Sequence, residues 1–327
     1  MTISRRTLLA TLGALPAATL LPRSAFAAYP DHPIHLIVPF AAGGNADIVG
    51  RLVGNEMGKF LKQTVVVENK GGAGGGVGAQ TVAKSDPDGY TLLVGSNGPL
   101  TINLLMHVDL GYDPEKDFVA VALTSYVPHA LILANKTEAK TIAEFVAASK
   151  KTPMTVATSG VGSASHMTLE RFKAATGANI THVPYRGGGA MMPDLIGGTV
   201  NGAMTEFSTA LQLHKGGKAH IVAVASAKRS QLEPSIPTFI EGGVKGFTAQ
   251  SYIGIMAPAK TPPAVVAQLQ KSIADGLQGG PAVDRLKSLG AEIATPEQMT
   301  SKGFAAFIKE DFANMKEAAK LAGIVPK

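Results

Sequence analysis

Ile34-His35-Leu36-Ile37-Val38-Pro39-Phe40-Ala41-Ala42-Gly43-Gly44-Asn45-Ala46-Asp47 is the stretch that decides how the chain is read. An apolar run stops at proline, and a short glycine-bearing turn follows. Ile48, Leu52, Val53, Met57 and Phe60 then recur at helical spacing. The segment therefore predicts a strand, a tight turn and a helix over residues 46–61. Glycines let the backbone turn sharply and bring its amides close to a guest. The first amides of a helix lack intrahelical partners and carry partial positive charge, so a carboxylate or phosphate fits there without an arginine. A purely structural reading makes Asn45 the helix cap and Asp47 a first-turn residue, and both roles can hold together. Phe40, Ala41, Gly43, Gly44, Asn45 and Asp47 are the candidate ligand-binding residues of this turn.

The same rhythm continues outward. Residues 64–68 and 90–94 read as strands and 76–83 as a helix between them, the βαβ alternation of a doubly wound parallel sheet. It restarts with strands at 131–133, 155–158, 181–183, 202–204 and 221–225, interleaved with helices at 142–150, 165–176 and 191–196. A strand at 251–257 and helices at 264–277, 281–289 and 301–321 close the chain. A chain of 327 residues is long for one core. The expected fold is α/β with two lobes, each a sheet flanked by helices. Residues 28–125 plus 250–327 form lobe I and 126–249 form lobe II, with crossings near 119–127 and 245–252. The helical tail suits a chain that returns to cover the first lobe.

Two more glycine-rich turns join a strand to a helix. Asn69-Lys70-Gly71-Gly72-Ala73-Gly74-Gly75-Gly76-Val77-Gly78 is a loose match to a dinucleotide fingerprint. The acid that should follow about twenty residues later is missing, because Val94 is followed by Gly95 and Ser96. Ser159-Gly160-Val161-Gly162-Ser163-Ala164-Ser165-His166 offers serine hydroxyls and backbone amides to one spot. Ser159, Gly160, Gly162, Ser163, Ser165 and His166 are therefore candidates in the second lobe, facing the Gly43-Gly44 turn. Two helix N-termini opposed across a cleft would grip a small anion from both ends. Ser96 and Asn97 in the first lobe, and Glu206 after a short apolar strand in the second, complete the ligand-binding set. Glu206 reads equally well as a solvated loop acid, and Arg186 in Tyr185-Arg186-Gly187-Gly188-Gly189 as part of a surface loop.

Catalytic patterns are thin. The eight histidines show no HExxH pair or metal spacing, no G-x-S-x-G elbow surrounds Ser163, and there is no cysteine. No metal and no cofactor are expected. Tryptophan is absent and aromatics are 6%, which argues against a ligand stacked on rings.

The N-terminus reads as an export signal of twin-arginine type, with a Sec signal bearing two arginines as the alternative: Ser4-Arg5-Arg6-Thr7, an apolar run to Leu21, then Ala25-Phe26-Ala27. Residues 1–27 are expected to be removed after Ala27, leaving a periplasmic protein. Removal takes Arg5, Arg6 and Arg23 and no acid, so the net charge falls by three, from +6 to +3. Without a basic run, nucleic acid is a poor partner.

Several ordered blocks resemble a known family. They are Ile37-Val38-Pro39-Phe40-x-x-Gly43-Gly44-x-x-Asp47-x-x-x-Arg51, Val67-Glu68-Asn69-Lys70-x-Gly72-Ala73-Gly74 and Asp86-Pro87-Asp88-Gly89-Tyr90-Thr91-Leu92. Tyr112-Asp113-x-x-x-Asp117-Phe118, Ser159-Gly160-x-Gly162-Ser163-x-x-His166, His182-Val183-Pro184-Tyr185-Arg186-Gly187, Pro237-Thr238 and Ala257-Pro258-x-x-Thr261-Pro262 follow. The chain resembles a Bug-type receptor, the extracytoplasmic substrate-binding component of tripartite tricarboxylate transporters. The resemblance implies a two-lobed periplasmic binding fold of type II-like form. It also implies carboxylate capture by amides and hydroxyls of the two turns, and delivery to membrane permease subunits by a monomer. Two departures stand out: Glu206 where many relatives carry aspartate, and Ala41-Ala42 where proline is common. An exported α/β enzyme and a sensor for a membrane kinase remain alternatives. Dicarboxylates, tricarboxylates, aromatic acids and amino acids all remain open as ligands.

Overall fold

The computed structural model describes residues 29–106 and 110–324; the expected export signal and its cleavage site lie outside the described residues. The chain opens with β1 (Ile34–Val38), α1 (Asn45–Leu61), β2 (Val65–Asn69), α2 (Gly76–Ala83), β3 (Thr91–Gly95) and α3 (Asn103–Met106). β1 is buried at four of its five positions, which suits a parallel strand covered on both faces. It pairs in parallel with β2 on one side and β3 on the other.

β4 (Phe118–Ala134) is a single strand of 17 residues where the sequence suggested a crossing and then a separate strand. Its first part, Phe118 to Pro128, pairs antiparallel with the strand that returns late in the chain, β9 below. From His129 onward it changes neighbours. Proline cannot donate to a ladder, so Pro128 stands where the pairing switches. There follow α4 (Ile142–Lys151), β5 (Met154–Thr158), α5 (Ala164–Thr176), β6 (Ile180–Pro184), α6 (Gly188–Gly197), β7 (Gly202–Glu206), α7 (Phe207–Lys215) and β8 (Ala219–Val224). β5 lies between β6 and β7 in parallel, while β7 and β8 run antiparallel to the second part of β4. The sheet is thus mixed, with parallel βαβ flanks around antiparallel central strands, rather than parallel throughout.

β9 (Gln250–Pro258) carries the chain back, between β3 and β4. α8 (Pro263–Gly276), α9 (Pro281–Ser288), β10 (Glu292–Ile293) and α10 (Ser301–Leu321) end it. Leu269 and Ile273 of α8, Leu286 of α9 and Phe304 of α10 join the core built on β1 and β3, so the tail covers the half that the chain left. Phe304 is fully buried, a contribution of about 1.5–3 kcal/mol for a side chain of this size. The other half has separate cores on its two sheet faces, one around Phe145 and Phe172 and one around Phe207 and Leu211. The architecture is a two-lobed α/β fold in which β4 and β9 link the lobes. Among the described residues no helix is long and apolar enough to cross a membrane.

Candidate functional site

The first turn is held by its acid. Asp47 Oδ2 accepts the Gly43 amide at 3.0 Å, and Oδ1 accepts Asn69 Nδ2 at 2.9 Å and an Arg51 nitrogen at 2.9 Å. Burial opposes the charge of Asp47, but the hydrogen bonds from Arg51, Gly43 and Asn69 prevail and hold the carboxyl below its usual range. Asp47 is therefore a clamp and does not line the cavity described below. Gly43 takes φ +81, which suits glycine. Gly44 caps α1 without a side chain, so no hydroxyl or carboxylate covers the first amides of that helix. Asn45 is buried, and its Oδ1 accepts Ser208 Oγ of α7 at 2.9 Å, tying the two lobes together.

The second turn differs from its expected role. Its backbone amides are spent within the turn. Ser159 N donates to Ser165 Oγ at 3.0 Å, Gly160 N to Thr158 Oγ1 at 3.2 Å, Gly162 N to His166 Nδ1 at 3.3 Å, and Ser163 N to Gly160 O at 3.1 Å. What remains for a guest is the N-terminus of α5 and the hydroxyls. Ser163 caps α5 by accepting the His166 amide at 3.2 Å. Its Oγ is 3.1 Å from Ser165 Oγ. Ser165, already accepting from Ser159, can pass its proton to Ser163, which frees the Ser163 proton for the cavity. His166 stacks on His182 at 4.1 Å between ring centroids, so it supports the turn from behind.

A third glycine run completes the site. Gly187 takes φ +143 and caps α6 without a side chain. The Ala41 amide donates to Arg186 O at 2.9 Å across the gap. A Cβ on Gly189 would lie 1.9 Å from Ala42 O, and one on Gly74 would lie 2.4 Å from Val161 O. The lobes thus meet backbone to backbone. The glycine run at 71–75, which looked like a nucleotide loop, serves this contact instead. Arg186 itself is exposed.

These turns surround a small cavity of about 20 Å³, room for about one water. It is lined by Phe40, Gly44, Asn45, Ala46 and Ser96 from lobe I, by Ser159, Ser163, Ala164, Gly188 and Glu206 from lobe II, and by Ser251 and Ile253 of β9. Of the residues singled out from sequence, Phe40, Gly44, Asn45, Ser96, Ser159, Ser163 and Glu206 come together here. Ala41, Gly43, Asp47, Gly160, Gly162, Ser165 and His166 shape the turns around them. Ala46, Ala164, Gly188, Ser251 and Ile253 were not foreseen. The Gly187-Gly188-Gly189 run after β6 was the available signal for Gly188, since it repeats the strand, glycine turn and helix order of the other two. No lysine or arginine lines the space, and its one acidic residue is Glu206.

Asn97 points elsewhere. Its Nδ2 donates to Asp311 of α10 at 3.2 Å and its Oδ1 accepts the Tyr252 amide at 3.0 Å. It lines a wider groove between α5 and α10, of about 620 Å³. That groove is larger, but Glu292, Glu310 and Asp311 line it, with Arg171 as its one basic residue, so it is ill-suited to an anion. Burial raises Asp311 to about 6.

Glu206 N-caps α7 and keeps some surface, which lines the cavity. Burial pushes its carboxyl above the ordinary value, against hydrogen bonding that favours the charge. A helix N-terminus stabilises an adjoining anion by up to about 2 kcal/mol. Stripping water from a carboxylate costs several kcal/mol, so burial prevails. Thr205 Oγ1 is 3.1 Å from Oε2 and Ser251 Oγ is 3.2 Å from Oε1. Among the described residues no cluster of His, Asp and Glu is placed to hold a metal ion.

Residues 49–323 match a family profile described as tripartite tricarboxylate transporter family receptor. A UPF0065 protein of Agrobacterium vitis is 38% identical over 318 residues, 94% of this chain and 91% of that protein. Among solved structures, the periplasmic binding protein BugD is 35% identical with a TM-score of 0.88, covering 91% of this chain and all of BugD. Rhodopseudomonas palustris Rpa4515 with adipate is 30% identical, with a TM-score of 0.87 and coverage of 91% and 100%. MatC of the same organism, with bound malate, is 32% identical, with a TM-score of 0.85 and coverage of 89% and 99%.

Proposed function

We propose that this chain, which belongs to the tripartite tricarboxylate transporter receptor family, captures a small carboxylate between its two lobes and hands it to membrane permease subunits. The protein is a periplasmic-type solute-binding receptor and not an enzyme. One observation carries the ligand class. The uncapped N-terminus of α1 and the N-terminus of α5 converge from opposite lobes on one cavity with no basic side chain. Such a site supplies fixed partial positive charge and hydrogen-bond donors, which suit a compact anion. The Gly44, Asn45 and Ala46 amides with Ser96 would take one end of the ligand. The Ala164 amide with the Ser159 and Ser163 hydroxyls would take the other. Adipate and malate in two relatives of this fold support the reading.

In this reading residues 1–27 direct export, residues 28–125 with 250–327 and 126–249 are the lobes, and the receptor works as a monomer. Ligand stabilises the closed arrangement by its differential affinity for it. A thermal-shift screen of the mature protein against dicarboxylates, tricarboxylates, aromatic acids and amino acids tests this. A ligand at 100-fold over its Kd adds about 2.7 kcal/mol of stability, and small-angle scattering then gives a smaller radius of gyration. If every carboxylate leaves the melting temperature unchanged, the reading fails.

Arg186 separates an amide cradle from a salt bridge. Its side chain is exposed and outside the cavity, while its backbone oxygen makes the contact with Ala41. Arg186→Ala should therefore change affinity by no more than about twofold, as surface substitutions do. Calorimetry on the variant that returned no measurable binding would mean that the guanidinium holds the carboxylate.

A further inference from the structure

Glu206 ends a chain of hydrogen bonds that leaves the cavity and runs through the strands linking the lobes. Ser251 of β9 is 3.2 Å from Glu206 Oε1 and 2.8 Å from His129 Nε2. His129, on β4 at the point where the strand changes lobes, has its Nδ1 2.6 Å from Thr168 Oγ1 of α5. The Thr168 hydroxyl donates to Ala164 O at 2.9 Å. Each hydroxyl has one proton, and a neutral imidazole has one N–H. These counts give the chain a direction.

Thr168 spends its proton on Ala164, so it accepts from His129 Nδ1–H. His129 is fully buried, and burial with the nearby Arg171 charge lowers it to about 3, so it is neutral and its Nε2 is bare. Nε2 then accepts the Ser251 proton. Ser251 has then given its proton to Nε2, and the 3.2 Å contact with Oε1 is made by the proton of the acid. With Thr168 turned to Nδ1 the chain reverses and Ser251 donates to a carboxylate, and burial of Glu206 favours the first arrangement. Thr205 donates to Oε2. Reversing the chain would require Thr168 to abandon Ala164 O.

Charged groups on the surrounding elements are engaged elsewhere. Asp47 of α1 is paired with Arg51, Asp311 of α10 accepts from Asn97, and Lys173 of α5 is paired with Glu170. Arg171 of α5 lies over the Phe247 ring. His166 of α5 sits against His182.

We propose that Glu206 stands in the cavity as an uncharged carboxylic acid, so that the site takes up an anionic group while Glu206 keeps its proton and repels that group once Glu206 ionises. The consequence for specificity rests on the carboxylate-receptor reading. The acid adds no second negative charge beside the guest, and its free lone pairs can accept from a ligand hydroxyl or from a protonated ligand carboxyl.

The sign of the pH effect follows. A bound anion holds the proton on Glu206 more tightly, so affinity is constant while the free protein is already protonated. It falls as pH rises past that point, by up to about tenfold per pH unit for one proton. Infrared difference spectra of the ligand-free mature protein against Glu206→Gln at neutral pH should contain a protonated carboxyl band. Titration with L-malate and with adipate, in buffers of different ionisation heat, should show proton uptake and weakening affinity toward alkaline pH. Glu206→Gln, which copies the neutral acid, should lose the pH dependence and the proton uptake. A carboxylate band alone at neutral pH, or binding to the wild type that is independent of pH without proton uptake, overturns the proposal. If no carboxylate binds in any buffer, the receptor reading falls, and the infrared measurement still decides the proton.

Discussion

Gly189→Ala should weaken carboxylate binding by at least about 100-fold while the protein stays folded. The Cβ it adds would sit 1.9 Å from Ala42 O, a distance no pair of such atoms adopts. Ala42 belongs to lobe I and Gly189 to the start of α6 in lobe II, so the clash exists only when the lobes meet. Gly189 is absent from the glycines with positive φ, and alanine is a better helix former than glycine by about 1 kcal/mol. The variant's own lobe should therefore be no less stable. What is lost is the second half of the ligand's contacts. Hydrogen bonds to a charged group contribute about 1.5–3 kcal/mol each, and losing two gives the stated factor. Gly279→Ala is the control, since nothing lies within 4 Å of its added Cβ. Calorimetry with the carboxylate found by thermal shift, beside a melting curve, measures both quantities. A Gly189→Ala protein that binds like the control would mean that the lobes do not need this contact to hold ligand.

Ser163→Ala and Ser163→Asp should part company in a way that isolates the hydroxyl's role. Ser163 Oγ caps α5 through His166 N and also borders the cavity. Alanine removes both functions. Loss of the cap costs about 1 kcal/mol of stability. Loss of one hydrogen bond to an anion weakens binding by about tenfold to 100-fold. Aspartate is as good a cap as serine, but Ser163 is 1% exposed and stripping water from a carboxylate costs several kcal/mol, so Ser163→Asp should lower the melting temperature further than Ser163→Ala. It also places a fixed negative charge where the carboxylate belongs, so binding should vanish. Were Ser163→Asp to bind an acid as tightly as wild type, the α5 end of the cavity would not be an anion site.

The segment from Ile34 to Leu61 could be read without coordinates because every local choice there agrees. A two-faced apolar run, a proline stop, a glycine turn and a 3.6-residue apolar period permit one arrangement, and β1 and α1 follow it to within a residue. The same is true of the turn before α5, where Ser163 is the cap that its position suggests. Strand, turn and helix are short-range matters, decided by residues that are neighbours in the chain. α7 was missed even though Phe207, Ala210 and Leu211 carry a helical pattern, because it begins immediately at the end of β7 without any turn residue to announce it.

Other features depend on partners that are far apart in sequence. Asp47 and Asn97 are polar residues beside candidate turns, and nothing local tells a clamp from a ligand contact. Only the arrival of Asn69 and Arg51 commits the first, and only α10, more than two hundred positions away, commits the second. The amides at 159–163 looked free because their acceptors, Ser165, Thr158 and His166, become acceptors only when the turn closes on itself. Ser251 and Ile253 enter the cavity because β9 threads between β3 and β4, a pairing that no period reveals. The protonation of Glu206 is the furthest case. It is decided by burial and by a chain of donors on β9, β4 and α5, and a carboxylate's charge depends on the water and protons around it rather than on its place in the sequence. Sequence determined the strand-and-helix order and the glycine turns of this protein. The tertiary structure decided which donors remain for a guest, because a hydrogen bond already made inside the fold is one the ligand cannot have.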